Sequence, residues 1–136
     1  MKKVEFASPE WLALGREYLQ AEAQKRADEL MGMRYVLCDV FTGAPEHLAD
    51  DRGRLIWHII IDGSQTEWNS GEVEDSDFNF EMSYEQGLVL AHLTSSEFMK
   101  LSAQAPADNA PILPDMPPLI SSLVSAAHDS LVARTL

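Results

Sequence analysis

The chain is expected to fold as an α+β domain: an N-terminal helix, a mostly antiparallel sheet of about four to five strands, and C-terminal helices packed over one face. Three observations predict this. Apolar residues up to Met31 recur at helical spacing, and residues 34–84 change to β-branched and aromatic runs with strand periodicity. After Tyr84 the helical period returns, so helices gather on one side of a sheet rather than alternating with its strands.

Ser8-Pro9-Glu10 opens the first helix with a hydroxyl cap, a proline at the first helical position and an acid in the first turn. Trp11, Leu12, Leu14, Tyr18, Leu19, Ala23, Ala27, Leu30 and Met31 mark one continuous apolar stripe, and Gly32 is the expected stop. Arg34–Thr42 reads as a strand ending at the turn Gly43-Ala44-Pro45, followed by a helical turn and the polar loop Asp50-Asp51-Arg52-Gly53. Leu55–Ile61 is the most apolar run in the chain. Asp62-Gly63 turns it into a returning strand, Gln65–Asn69.

From Asp75 to Tyr84 the sequence alternates, with Phe78, Phe80 and Met82 on one face and Asp77, Asn79 and Glu81 on the other. Ser83-Tyr84-Glu85-Gln86 has capping-box spacing before Leu88, Val89, Leu90 and Leu93. A short helix follows from Ser95. Residues 103–118 contain five prolines and are expected to form a connector or lid within a single domain, 1–136. Leu119, Ile120, Leu123, Val124, Ala127, Leu131 and Val132 mark a closing helix.

The two central strands are apolar on both faces. Leu55, Trp57, Ile59 and Ile61 oppose Ile56, His58 and Ile60; Tyr35, Leu37 and Phe41 oppose Val36, Cys38 and Val40. A sheet covered on one side alternates more cleanly. Something is therefore expected to cover the second face: the closing helix, a second subunit or a bound apolar ligand.

Composition narrows the partners. The chain has 136 residues, 46% hydrophobic and 24% charged, which suits one globular domain with a real core. Its 22 acids against 10 bases leave a formal charge of −12, unfavourable for nucleic acid or an anionic lipid surface. The lone Cys38 excludes an intramolecular disulfide. No apolar run of membrane-spanning length is present and no apolar segment follows the basic start, so the expected location is cytoplasmic.

No nucleotide-binding glycine loop or nucleophile elbow occurs, and no cofactor is expected. His47, His92 and His128 lack metal-ligand spacing. Asp75-x-Asp77-x-Asn79-x-Glu81 opens like a calcium loop, but Phe80 replaces its essential glycine and Gln86 its final glutamate. The acids between Asp62 and Glu85 read as a solvated face, and Cys38 as a small core residue. His58, among isoleucines, suits either a ligand-facing anchor or a satisfied core histidine.

Residues 56–63, then Gly71-Glu72-Val73-Glu74-Asp75-Ser76-Asp77-Phe78, then Ser83-Tyr84-Glu85-Gln86 leading into an apolar helix, together resemble the sterol carrier protein type two family over residues 54–93. The resemblance implies helices over a sheet with an apolar cavity for lipids or acyl chains. Family members continue with a glycine-lysine stretch and two further strands, where this chain has the proline-rich segment.

The leading expectation is non-catalytic binding of a lipid- or sterol-like ligand by Trp57, His58, Ile59, Phe78, Phe80 and Met82. The alternatives are a homodimeric interaction protein and a small isomerase- or cyclase-like enzyme using Asp39 or His58 for acid–base chemistry.

Overall fold

The computed structural model describes residues 2–104 and 116–136. Helix α1 spans Pro9–Lys25, capped by Ser8, whose hydroxyl accepts the Trp11 N–H at 3.2 Å. The expected single helix is broken at Arg26, and α2 resumes over Ala27–Leu30. Arg26 itself explains the break. Its guanidinium donates to the Glu22 carbonyl at 3.0 Å, the acceptor a continuing helix would give to the Arg26 N–H, while that N–H turns to Ala23 O at 3.1 Å.

Strands β1 (Arg34–Thr42), β2 (Arg54–Asp62) and β3 (Gln65–Ser70) form an antiparallel meander. Gly63, at φ +59°, makes the tight β2–β3 turn, which favours a residue without a Cβ. Strand β4 (Phe78–Ser83) is shorter than the alternation predicted, because Asp75 adopts a left-handed φ of +55°. Nor does it extend the meander. It pairs parallel with β1 at the opposite edge, in the order β3-β2-β1-β4.

The outer edge of β3 is already occupied. Gln20 on α1 accepts the Thr66 N–H at 2.9 Å and donates to Ser64 O at 2.8 Å, and Arg16 donates to Trp68 O at 2.6 Å. Side chains thus plug the backbone groups that a neighbouring strand would use.

Helices α3 (Tyr84–Leu90), α4 (Ser95–Gln104) and α5 (Pro118–Val132) complete the chain. Ser83 and Gln86 form the expected capping box on α3. Leu37, Phe41, Leu55, Trp57, Ile59 and Ile61 on one sheet face join Trp11, Leu12, Leu19 and Ala23 of α1 and Ile120, Leu123, Ala127 and Leu131 of α5 in one core. The ends of the chain close this layer. Val4 N–H donates to Arg134 O at 2.7 Å, and the buried Trp11 Nε1–H donates to Thr135 Oγ1 at 3.0 Å. The proline-rich lid expected at 103–118 falls largely outside the described residues.

The second face has a cover that none of the expectations named. Since β3 and β4 sit at opposite edges and run parallel, residues 71–77 must cross the sheet. They cross the face turned away from the helices. The His58 ring nitrogen Nδ1 lies 2.9 Å from Gly71 O, the Gly71 N–H donates to Ile56 O at 2.8 Å, and Asp77 exchanges bonds with Val36 at 2.8 and 2.9 Å. Val36, Cys38 and Ile56 are buried on this face within the single chain, and the closing helix α5 lies on the other side.

Candidate functional site

Between the helix-covered face and α1, α3 and α5 lies a cavity of about 170 Å³. A dry cavity of this order accommodates a benzene-sized molecule. The chain's three tryptophans meet on its wall. Trp11 and Trp57 stack with centroids 5.4 Å apart; Trp68 meets them edge-on at 5.5 and 5.7 Å, and Phe41 tilts onto Trp57 at 4.7 Å. Such pairings fix the rings relative to one another, so the wall is stiff.

Two glycines admit this wall. A Cβ on Gly15 of α1 would lie 2.6 Å from the Trp68 ring, and one on Gly87 of α3 would lie 2.6 Å from the Phe41 ring. Both helices therefore approach the sheet as closely as they do because these positions lack a side chain. Neither glycine stands out in the sequence, since each is isolated and neither sits at a turn.

Asp39 brings a charge into this apolar wall. Strand alternation sets it between Leu37 and Phe41 on the helix face, directly opposite Trp57. Trp57 Nε1–H donates to Asp39 Oδ2 at 2.8 Å. Burial pushes the Asp39 carboxyl up to about 6, and the Trp57 bond only partly opposes it, because one neutral donor does not replace a hydration shell. Asp39 as a whole is partly accessible and lines the cavity.

His128 of α5 also reaches the wall. Its Nε2 lies 2.8 Å from Leu93 O; as the donor in that bond, Nε2 leaves Nδ1 as an acceptor. Trp68 Nε1–H is buried and has no hydrogen-bond partner among the described residues.

A second cavity, about 400 Å³, lies between α3, α4 and α5 and shares Leu90, Val124 and His128 with the first. Those three side chains lie between the smaller inner cavity and the larger outer groove.

Of the residues expected to bind a ligand, Trp57, Ile59 and Met82 line the inner cavity. His58 does not join them. It points to the opposite face, tied to Gly71 O, because strand alternation separates it from Trp57. Phe78 packs partly buried against the core, and Phe80 stacks on it at 6.1 Å along the β4 edge. Of the residues in the calcium-like stretch, Asp77 accepts the Val36 N–H at 2.8 Å and Asn79 accepts the Ser76 hydroxyl at 2.7 Å. Among the described residues no three His, Cys, Asp or Glu side chains converge to hold a metal, and no helix is long and apolar enough to cross a membrane. Burial raises the Cys38 thiol above its ordinary value, the environment of a packed thiol rather than a nucleophile.

No family model matches this chain, and neither does any curated protein or solved structure.

Proposed function

We propose that this domain binds a small, largely apolar molecule between its sheet and helices without transforming it. The observation that carries the reading is the cavity of about 170 Å³ walled by tryptophan and phenylalanine and holding, among the described residues, a single carboxylate. Apolar concavity with few fixed polar groups is the usual chemistry of a small-ligand site. The outer groove of about 400 Å³ offers room for a tail, and the resemblance to sterol carrier proteins favours the same reading.

The test is native mass spectrometry of the protein as purified, followed by thermal unfolding with apolar compounds of graded size. A bound mass of a few hundred daltons, or a rise in Tm with added compound, is expected, since a ligand of the folded state stabilises it. A bare protein whose Tm responds to none of them would sink the reading.

A second reading, acid–base catalysis, is favoured by Asp39 alone, whose carboxyl at about 6 is suited to proton transfer near neutrality. It requires Asp39→Asn to abolish a turnover while ligand affinity survives.

A further inference from the structure

We propose that the inner cavity selects a protonated amine on a compact apolar body, with Asp39 as counter-ion and the tryptophan cluster as the aromatic part of the cage. This rests on the cavity-binding reading above and adds the head-group chemistry.

Among the described side chains lining either cavity there is no lysine or arginine, and Asp39 makes no ion pair with any of them. Its hydrogen bond is to a neutral indole, at 2.8 Å, and is made by Oδ2 alone. A carboxylate in an apolar chamber is stabilised most by a group that brings both a positive charge and an N–H. Trp11, Trp57 and Trp68, gathered within 5.7 Å of one another, add ring faces that attract a cation. At longer range the formal charge of −12 draws cations toward the surface and repels fatty acids and phosphates.

Anionic ligands meet a second obstacle inside, because their head would face the Asp39 carboxylate in one apolar chamber. The remaining rival is a neutral alcohol. It could donate to Asp39 and accept the unpartnered Trp68 N–H, but it would leave the buried charge uncompensated. Charge compensation favours the amine.

Three matched probes separate these cases: cyclohexylmethylamine, cyclohexylmethanol and cyclohexanecarboxylate. Each is titrated at pH 7.5 against tryptophan fluorescence, which reports directly because all three tryptophans line the cavity. The amine is expected to bind about tenfold more tightly than the alcohol, the margin of a charge-assisted over a neutral bond, with the carboxylate weakest. Asp39→Asn should bring the amine down to the level of the alcohol and change the alcohol by less than about threefold.

The wild-type pH profile serves if that variant does not fold. Amine affinity should fall as pH drops through about 6, where Asp39 protonates, while alcohol affinity stays level. On the cavity wall, α1 and α3 supply no titratable group, the sheet supplies Asp39, and α5 supplies His128, so the same midpoint in His128→Asn assigns the profile to Asp39. Alcohol binding equal to amine binding, or an amine affinity indifferent to pH and to Asp39→Asn, overturns the inference and leaves the cavity reading standing. If none of the three probes binds, this inference falls, while the cavity reading stands or falls on the Tm series.

Discussion

The two faces of the sheet are built from the same apolar strands and end in opposite states. On the helix face, large rings and the intrusion of Asp39 line a chamber between the sheet and the helices. On the other face a seven-residue crossover ties its backbone to the strands, burying Val36, Cys38 and Ile56 and leaving Val40, His58 and Ile60 half-buried. Apolar surface alone therefore does not mark a binding face. What distinguishes the two is the size and rigidity of the covering groups, and one carboxylate aimed inward.

A pair of neighbouring substitutions separates the two faces with the largest effect. Ile61 is fully buried on the helix face, and Ile60, next in the chain, is half-buried under the crossover. Ile61→Ala should destabilise by about 2–5 kcal/mol and Ile60→Ala by about 1 kcal/mol or less, read by chemical denaturation. Equal losses would mean that both faces are true cores.

Asp39 provides the next largest effect, and its sign is specific. Its carboxyl is raised from 3.8 to about 6 in the folded chain, so between those values the folded state holds more protons than the unfolded one. The contribution is most favourable at low pH and is lost as pH rises through about 6, amounting to roughly 2–3 kcal/mol. Asp39→Asn should therefore raise Tm at pH 7.5 and have little effect at pH 4. A variant that lowers Tm equally at both would show that the residue acts through packing rather than charge.

Gly87→Ala tests how the chamber is bounded. The added Cβ meets the Phe41 ring at 2.6 Å, so α3 or the ring must shift, destabilising by about 1–3 kcal/mol. The same change should perturb the fluorescence of Trp57, which Phe41 contacts at 4.7 Å. An unaltered spectrum with unaltered stability would mean that α3 rides loosely over the cavity.

The smallest effect is expected on the crossover face. His58→Ala removes one bond to Gly71 O and should lower stability by about 1 kcal/mol, with ligand affinity unchanged. A loss of affinity would mean that the crossover communicates with the cavity through the sheet.

The sequence by itself determined the order and type of the elements. Ser8-Pro9, Asp62-Gly63 and Ser83-x-x-Gln86 are local signals whose chemistry is completed within a few residues, and the structure uses all three as expected. The excess of apolar residues on both strand faces was equally legible. It did not say which cover each face would take, because that depends on which edge β4 occupies. That edge follows from Gln20 and Arg16 plugging β3 from a helix more than forty residues earlier.

The site divides in the same way. Strand alternation puts Trp57, Ile59 and Met82 on the cavity wall, and the same alternation sends His58 to the other face, where it meets Gly71 O as a satisfied histidine would. Gly15, Gly87, Trp68 and His128 carry no local pattern at all; each matters only through a partner distant in the chain. Local sequence decides backbone conformation over a few residues. The shape of a cavity is decided by contacts between elements far apart in sequence, and only the tertiary structure contains them.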